Sequence, residues 1–372
     1  MKIAVLSNGS RSLLNFRGPL MEEMIRRGHQ VIAFAPDHDA ETRTALRMMG
    51  VLPVDFSMTR AGMGPATEVG TILQLRKLLR AHRPDICFAY FLKPVIYGTM
   101  AAWLAGVGRR YGLVAGLGST FANASDGGRA RKLVQLAMSV LARFSFRRIH
   151  LLMFQNSDDL DEFVERRIVD RRKAVLVGAT GVDLDVWRPV PIPEPPVTFV
   201  LAARLLRDKG PGEFAAAARL IKKSGRDARF VLLGGVDDNP DAFALAEVEA
   251  WVAEGLVEWP GHVPVQPWLA QSHVFVLPSY YREGVPRSTQ EAMAMGRPVI
   301  TTNAPGCRET VIEGTNGYLV PPRDVEALAA AMVRFIDEPH LIHRMGAESR
   351  RIAEERFDVR FLNATLLGAM SL

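Results

Sequence analysis

Residues 275–300 read FVLPSYYREGVPRSTQEAMAMGRPVI, a pattern typical of one strand–loop–helix–strand unit. The apolar strand pattern ends at Pro278. Pro286 is expected at the first position of the helix, because its ring presets a helical φ and its missing N–H is not needed there. Gly296 suits the end of that helix, and a second apolar run begins at Val299. Such a unit is the repeating element of a parallel α/β sheet.

The same alternation extends in both directions from this unit. Apolar runs followed by helical patterns lie at residues 3–6, 31–35, 86–90, 197–202, 230–233, 274–277 and 299–302. Between the two halves, residues 189–196 read PVPIPEPP, and this proline density suits neither a helix nor a central strand because proline lacks an N–H donor. We therefore predict the α/β class, with two doubly wound parallel-sheet (Rossmann-like) domains facing a cleft.

The same patterns give the expected domain bounds. We predict a first domain over residues 1–188, a proline-rich linker over 189–196 and a second domain over 197–352. Residues 353–372 form a predicted C-terminal helix that packs back on the first domain.

Composition excludes several protein classes. The chain has 372 residues, of which 48% are hydrophobic and 23% are charged, and these values exclude disordered, collagen-like and disulfide-rich proteins. No uncharged stretch is apolar and long enough for the roughly 18 residues of a membrane-spanning helix. Cys87 and Cys307 stand apart from each other without a metal-ligand pattern, so we expect free thiols in the cytoplasm.

Charge is unevenly distributed along the chain. Residues 1–190 carry 27 Lys and Arg against 17 Asp and Glu, whereas the remainder carries 19 against 23. No nucleic-acid-binding motif accompanies the basic half, so we expect no nucleic acid partner. A phosphorylated substrate or an anionic membrane surface fits the charge better, although a merely Arg-rich composition explains it too.

The loop of the opening stretch also carries candidate chemistry. Gly284 precedes a predicted helix N-terminus, and free amides there form a site for an anion such as a diphosphate. Glu283 lies at the mouth of that site, and Glu291 follows eight residues later. These carboxylates could accept hydroxyl groups of a sugar and of a ribose. Either residue is equally explained as a solvated charge.

Other ligand motifs are weak. The loop after the first strand contains Gly9 but no GxGxxG pattern, and no P-loop pattern occurs in the chain. Three Asp-x-Asp pairs, beginning at Asp37, Asp159 and Asp183, have a spacing that suits a metal on a diphosphate, but Asp is also a common helix cap. We expect neither a metal nor a cofactor.

Glu283 and Glu291 form an E-x7-E motif whose setting, REGVPRSTQEAMAMGRPVITT, resembles the family 4 glycosyltransferases of the GT-B fold. The resemblance continues through residues 203–210, 304–309 and 316–320, and through Thr180-Gly181-Val182-Asp183 before the linker. It covers nearly the whole second domain, and the first half matches more loosely.

The resemblance implies a retaining, metal-independent hexosyltransferase that uses a nucleotide sugar. It implies catalytic roles for Glu283, which would bind hydroxyls of the donor sugar, and for Arg204 and Lys209, which would stabilise the departing diphosphate. Further donor contacts are expected at Gly284, Val285, Pro286, Glu291, Gly9 and Val263. One departure is clear: many members carry a histidine where this chain reads VAGLGS over residues 114–119.

The first half resembles one subgroup of the family through Asn15-Phe16-Arg17-Gly18 and through Lys93-Pro94 with Tyr97-Gly98. The subgroup contains the N-acetylgalactosaminyltransferases that act on undecaprenyl-diphospho-diacetylbacillosamine, and related O-antigen and capsule transferases. It implies a UDP-linked N-acetylhexosamine donor and a polyprenyl-diphosphate-linked acceptor in bacterial surface polysaccharide or glycoprotein glycan assembly. Acceptor-binding residues would lie in the first domain, at Asn15, Arg17, Lys93, Tyr97 and Ser119.

Such an acceptor predicts a peripheral protein on the inner face of the cell membrane. Residues 129–148 place Leu133, Leu136, Val140, Leu141 and Phe144 at helical spacing between basic ends, as in an interfacial helix. A core-packed helix produces the same pattern. Two other functions stay open: a nucleotide-sugar epimerase of the same fold, and a catalytically silent nucleotide-sugar-binding partner of a synthase complex.

Overall fold

The computed structural model describes residues 1–58, 65–117, 129–237 and 239–372. The chain divides into two compact units, one made of Met1–Thr180 with Arg360–Leu372 and the other of Gly181–Val359.

The first unit is built on a seven-stranded sheet in which every described pair of neighbours is parallel. The strand order is β3-β2-β1-β4-β5-β6-β7. Its strands are β1 (Lys2–Leu6), β2 (Gln30–Ala35), β3 (Leu52–Asp55), β4 (Ile86–Tyr90), β5 (Arg109–Val114), β6 (Leu151–Phe154) and β7 (Ala174–Leu176). Its helices are α1 (Ser10–Arg26), α2 (Ala40–Met48), α3 (Pro65–His82), α4 (Leu92–Ala105), α5 (Arg129–Phe146) and α6 (Ser157–Glu165), with a 3-10 turn at Arg171–Lys173.

The second unit repeats the plan with six parallel strands in the order β10-β9-β8-β11-β12-β13. These are β8 (Thr198–Ala202), β9 (Arg229–Leu233), β10 (Glu258–Gly261), β11 (Val274–Leu277), β12 (Val299–Thr302) and β13 (Gly317–Val320). The helices are α7 (Pro211–Lys223), α8 (Leu245–Ala253), α9 (Gln266–Ala270), α10 (Arg287–Ala294), α11 (Val325–Asp337) and α12 (His340–Arg356), with 3-10 turns at Arg207–Lys209 and Cys307–Thr310. A last helix, α13 (Val359–Ala369), begins at the final residue of this unit and continues into the first.

Burial of both sheet faces explains the apolar runs. In β1, Ala4 and Leu6 pack in one hydrophobic cluster, while Ile3 and Val5 pack in another, because alternate side chains point to opposite faces of a strand. Every apolar run used in the prediction coincides with a strand, apart from Val197, which directly precedes β8, and the predicted α/β class with two parallel sheets is confirmed.

Each sheet reverses its strand order once, between β1 and β4 in the first unit and between β8 and β11 in the second. Ligands of open α/β sheets bind beyond the carboxyl ends of strands at such reversal points. We therefore expect ligand-binding residues in the loops that follow these four strands.

The proline-rich segment belongs to the second unit, which begins at Gly181, whereas the predicted second domain begins at residue 197, after a separate linker. The guanidinium of Arg297, which is fully buried, donates hydrogen bonds to the carbonyls of Val190 and Pro191, each at 3.1 Å. The imidazole Nε2 of His273 lies 3.1 Å from the Pro193 carbonyl. Prolines donate no backbone hydrogen bond, so the segment is held through its carbonyls.

The C-terminal segment from Arg360 onward belongs to the first unit. The hydroxyl of Tyr111 in β5 donates to the carbonyl of Met370 at 3.2 Å, and Arg27 donates to the carbonyl of Leu372 at 2.8 Å. Across the described ranges, no helix has the length and apolar character needed to cross a membrane.

Candidate functional site

An ion pair between Lys209 and Glu283 forms the centre of the candidate site. Lys209 ends a 3-10 turn after β8, and Glu283 lies in the loop after β11, so the order reversal of the sheet brings the two together. Each side chain is only 12% exposed. The hydroxyl of Ser279 donates to Glu283 Oε1 at 3.1 Å, and Lys209 Nζ lies 4.3 Å from the ring centroid of Tyr281. Lys209 and Glu283 are thus positioned by neighbours that hold their charged ends in place.

The backbone of Asp208 fixes the two loops against each other. Its carbonyl accepts the amide hydrogens of Tyr280 at 2.9 Å and Tyr281 at 3.0 Å, and the hydroxyl of Ser279 at 3.2 Å. Gly210, at φ +83°, lies so close to the β11 loop that a Cβ there would be 2.4 Å from the Pro278 carbonyl oxygen. This approach requires a glycine.

A second close approach holds the loop from the other side. Gly306 has φ +79°, and a Cβ at this position would lie 1.9 Å from the carbonyl oxygen of Gly284 and 2.6 Å from that of Glu283. The loop that carries Glu283 is therefore confined by backbone on both flanks.

The carboxyl group of Asp208 was not predicted from sequence. Burial raises the pKa of this carboxyl group, and the nearby ammonium of Lys209 acts in the opposite direction. Its Oδ1 atom is buried and has no hydrogen-bond partner among the described residues. Only its position beside the Lys209-Gly210 motif hinted at a role.

Arg204 is held more loosely than Lys209. Its side chain is 54% exposed, and its Nη1 atom lies 3.5 Å from Oδ2 of Asp237 in the loop after β9. Such an exposed pair contributes little energy, so the guanidinium can exchange partners readily.

The helix after the Glu283 loop begins at Arg287, with Pro286 as its N-cap rather than its first residue. Val285 and Pro286 offer their carbonyls to the side-chain amide of Gln290, at 3.0 and 3.2 Å. Glu291 is the fifth of the eight residues of this helix and pairs with Arg287, whose Nε donates to Oε1 at 2.9 Å. Burial raises the pKa of Glu291, and the positive charge of Arg287 opposes that rise.

Two further predicted donor contacts lie on other elements of the two units. Val263 is half-buried in the segment between β10 and α9 of the second unit. Gly9 is the N-cap of α1 in the first unit, where its amide donates to Ser7 Oγ at 3.2 Å.

The first unit holds four of the predicted acceptor residues in helices: Asn15 and Arg17 in α1, and Lys93 and Tyr97 in α4. Arg17 lies inside α1 and is almost fully buried, with its guanidinium carbon 5.3 Å from the ring centroid of Tyr90. Asn15 is exposed on the same helix. Arg17 and Lys93 lie within helices because α1 begins at Ser10, soon after β1, and α4 begins at Leu92, soon after β4.

Lys93 occupies the first turn of α4 and pairs with Glu68 Oε1 at 2.8 Å, where both side chains are largely buried. Its Nζ lies 5.8 Å from the ring centroid of Tyr97. Burial, together with the Glu68 carboxylate, raises the pKa of the Tyr97 hydroxyl. Ser119 lies outside the described residues.

A hydroxyl network at the β1–β4 reversal was not predicted. Ser12 Oγ lies 2.7 Å from Ser7 Oγ and 3.0 Å from the hydroxyl of Tyr90, whose pKa burial raises to about 12. The next residue, Phe91, has φ +67°, a strained conformation for a residue with a side chain. Strain of this kind is frequent at ligand sites.

Two Asp-x-Asp pairs contain an aspartate that serves a local turn, whereas Asp37 Oδ1 accepts the amide of Ser10, 27 residues away, at 2.6 Å. Asp39 is the N-cap of α2 and accepts the amide of Thr42 at 2.7 Å, while Asp183 Oδ1 accepts the amide of Asp185 at 2.8 Å. Within the described ranges, no three His, Cys, Asp or Glu side chains group as metal ligands would.

Taken together, the second unit presents a lysine, an arginine, a carboxylate and a hydroxyl at one edge of its sheet. The cations can neutralise a diphosphate, and the Glu283 carboxylate can accept hydrogen bonds from the hydroxyls of a sugar. This chemistry suits a nucleotide sugar.

Family comparisons agree with this assignment. Residues 196–338 match the model of the family described as glycosyl transferases group 1, and residues 17–180 match the glycosyl transferase 4-like domain. The chain is a family 4 glycosyltransferase of the GT-B fold. The predicted family and fold are confirmed.

Two curated relatives of this glycosyltransferase are similar over most of the chain. The N,N'-diacetylbacillosaminyl-diphospho-undecaprenol alpha-1,3-N-acetylgalactosaminyltransferase of Campylobacter jejuni is 26% identical, covering 92% of this chain and 91% of the relative. The UDP-Gal:alpha-D-GlcNAc-diphosphoundecaprenol alpha-1,3-galactosyltransferase of Escherichia coli is 28% identical, covering 73% of this chain and 71% of the relative.

Solved structures show the same fold. Sucrose-phosphate synthase of Thermosynechococcus elongatus superposes with a TM-score of 0.79 at 18% identity, covering 98% of this chain and 97% of its own. HepE of Anabaena, crystallised in complex with UDP, superposes with a TM-score of 0.76 at 16% identity and covers all of both chains. At these identities the likeness shows the fold alone.

Proposed function

We propose that this glycosyltransferase moves an N-acetylhexosamine from a UDP-sugar to a polyprenyl-diphosphate-linked glycan during assembly of a bacterial surface polysaccharide or glycoprotein glycan. The observation that carries the proposal is the Lys209–Glu283 pair with Ser279 and Tyr281 at the carboxyl edge of the second sheet. The acceptor class is supported by the similarity over 92% of the chain to a transferase named for an undecaprenol-diphosphate-linked substrate.

Lys209 and Arg204 would stabilise the leaving group. Breaking the anomeric C–O bond develops negative charge on the diphosphate, and positioned cations in a partly buried site lower the energy of that charge. Lys209 is largely buried and Arg204 is exposed, so we assign Lys209 the larger share. With two protein cations for this purpose, we propose a reaction independent of metal ions.

We propose transfer with retention and without a protein nucleophile. The acceptor hydroxyl forms the new C–O bond on the face from which the diphosphate leaves, and its proton passes to the departing phosphate oxygen. In this scheme the Glu283 carboxylate accepts hydrogen bonds from hydroxyls of the donor sugar. These bonds hold the ring in place.

The acceptor would approach the first unit at the cytoplasmic face of the membrane. Helix α5 exposes Val140 and Phe144, which are 55% and 48% exposed, beside the exposed Arg143 and Arg147. Each basic residue near an anionic leaflet contributes roughly 1 kcal/mol of attraction. A peripheral association of α5 with anionic lipid would bring the chain to its lipid-linked substrate.

The test is turnover of a donor panel. Purified full chain is incubated with UDP- and GDP-sugars and undecaprenyl-diphosphate-linked acceptors, and nucleotide release and lipid-linked product are scored together. We expect product with one UDP-N-acetylhexosamine, its loss in Glu283→Gln, and full activity in the control Glu258→Gln, whose exposed carboxylate pairs with Arg229. Nucleotide binding without release across the panel would instead identify a silent binding partner.

A further inference from the structure

A separate cavity of about 350 Å³ lies in the second unit, beside the loop that carries the donor-site candidates. It is lined by Arg207, Gly212, Glu213, Phe243, Tyr280 and Val325. These residues come from the 3-10 turn after β8, the first turns of α7 and α11, and the loops before α8 and after β11. Its volume is at the low end of small-molecule sites, which is about 300 Å³.

The charged groups of the cavity are largely balanced. Arg207 donates to both carboxylate oxygens of Glu247, at 3.0 and 2.9 Å, and its guanidinium carbon lies 4.4 Å from the centroid of the Phe243 ring. The guanidinium carbon of Arg323 lies 4.5 Å from the ring centroid of Tyr280, and its positive charge opposes the rise that burial causes in the pKa of Glu213. A cavity with paired charges favours neither a free cation nor a phosphate.

The walls combine apolar surface with hydrogen-bonding groups. Gly212 leaves room beside Phe243, because a Cβ there would lie 3.1 Å from the Cζ atom of the ring. Glu213 is half-buried in the first turn of α7, and burial raises the pKa of its carboxyl group. A carboxylate so placed gains most from hydroxyl groups that donate to it, while Tyr280 and Val325 supply apolar contact.

We propose that this cavity is an auxiliary site for a neutral pyranose ring of a glycan. Hydroxyls of the ring would donate to the Glu213 carboxylate, and its C–H faces would pack on Tyr280 and Val325 by dispersion. The site is distinct from the donor subsite: Tyr280 lines the cavity, whereas the ring of its neighbour Tyr281 faces Lys209. The proposal does not depend on which donor or acceptor the enzyme uses.

The test measures binding of free sugars with the donor site filled. Full-length protein saturated with UDP is titrated with methyl glycosides of N-acetylglucosamine, N-acetylgalactosamine and galactose, followed by saturation-transfer NMR and calorimetry. We expect millimolar binding of at least one glycoside. Affinity should fall about tenfold in Glu213→Gln, which removes the charged acceptor, and at least as much in Val325→Trp, which fills the cavity.

Two control variants make the result specific. Glu326→Gln changes an exposed carboxylate one residue from Val325 and should leave affinity unchanged. Glu283→Gln should also leave it unchanged, and a loss there with full binding in Glu213→Gln would place the sugar in the donor subsite and overturn the proposal. Absence of any binding up to tens of millimolar would overturn it too. If Val325→Trp loses its circular dichroism signal, the isosteric Glu213→Gln variant decides.

Discussion

Lys209 and Glu283 carry opposite charges and form an ion pair with each other. A bound diphosphate and sugar would have to share or replace this contact. Because the ion pair is largely buried, removing one partner leaves the other uncompensated. We therefore expect the effects of substituting Lys209 and Glu283 to be coupled.

Replacing Lys209 with Ala should lower the transfer rate about 10²- to 10³-fold while weakening UDP binding much less, because negative charge on the diphosphate grows in the transition state. Steady-state rates and calorimetric affinities of the same samples separate the two effects. Lys222→Ala, at the exposed end of α7, serves as the control. Equal losses in rate and affinity would assign Lys209 to ground-state binding alone.

Gly306 offers a second test at the level of one residue. Gly306→Ala should lower the free energy of unfolding by about 1–3 kcal/mol and reduce activity, because the new methyl group meets the Glu283 and Gly284 carbonyls. Gly314→Ala is the matched control, since Gly314 has φ +71° with no atom within 4 Å of the added Cβ. Chemical denaturation and turnover of both variants are compared. Similar effects in the two would mean that backbone conformation, not contact with the loop, is responsible.

At the scale of elements, the proline-rich segment is held by Arg297 and by His273, the residue before β11. His273 Nδ1 accepts the amide of Thr198 at 3.0 Å, so the ring is neutral with its proton on Nε2, facing the Pro193 carbonyl. Burial lowers the pKa of His273 below its usual value of 6.5.

A His with a lowered pKa stabilises the fold above the pKa of its unfolded state and loses that contribution as pH falls. Unfolding free energy should therefore decrease below pH 6.5, by at most about 1.4 kcal/mol per pH unit for this group. Denaturant titrations between pH 8 and pH 5 should show a shallower decline for His273→Gln than for the native chain. The exposed His340 provides the control variant His340→Gln, and an unchanged slope in His273→Gln would contradict the assignment.

Helix α5 divides its apolar residues between core and solvent. Met138 and Ala142 are buried and Leu141 packs against the core, whereas Val140 and Phe144 are exposed. The helix thus fits in part both the interpretation as a core-packed helix and that as an interfacial helix. The side chains of Leu133 and Leu136 lie outside the described residues.

Phe144→Ser should weaken sedimentation with anionic vesicles, because aromatic side chains favour the membrane interface. Phe361→Ser is the matched control, an exposed phenylalanine on α13 of the same unit. Vesicles of phosphatidylglycerol and of phosphatidylcholine are compared. Equal weakening by the two variants, or no preference for the anionic vesicles, would argue against docking through α5.

At the scale of the whole molecule, the proposed charge balance predicts the effect of chelators. If Lys209 and Arg204 neutralise the leaving diphosphate, activity should persist in excess EDTA at the level seen with added Mg²⁺. Turnover of the preferred donor is measured after dialysis against chelator. Activity that collapses with EDTA and returns with Mg²⁺ would require metal-assisted chemistry.

Short-range patterns determined much of this protein. The apolar runs and helix-ending residues predicted two parallel α/β units, and the E-x7-E setting pointed to Glu283, Glu291, Arg204 and Lys209 and to the family. These features are readable because strand burial, turn conformation and helix capping depend on residues close together in the chain.

Tertiary structure alone decided which groups meet. Lys209 and Glu283 are 74 residues apart, and Ser279, Tyr281 and the Asp208 carbonyl join them only because β8 and β11 are neighbours in the sheet. The burial of Arg17, the attachment of the proline segment to the second unit and the cavity beside Tyr280 arise in the same way. Strand order and helix packing set such contacts, and no local pattern in the sequence encodes them.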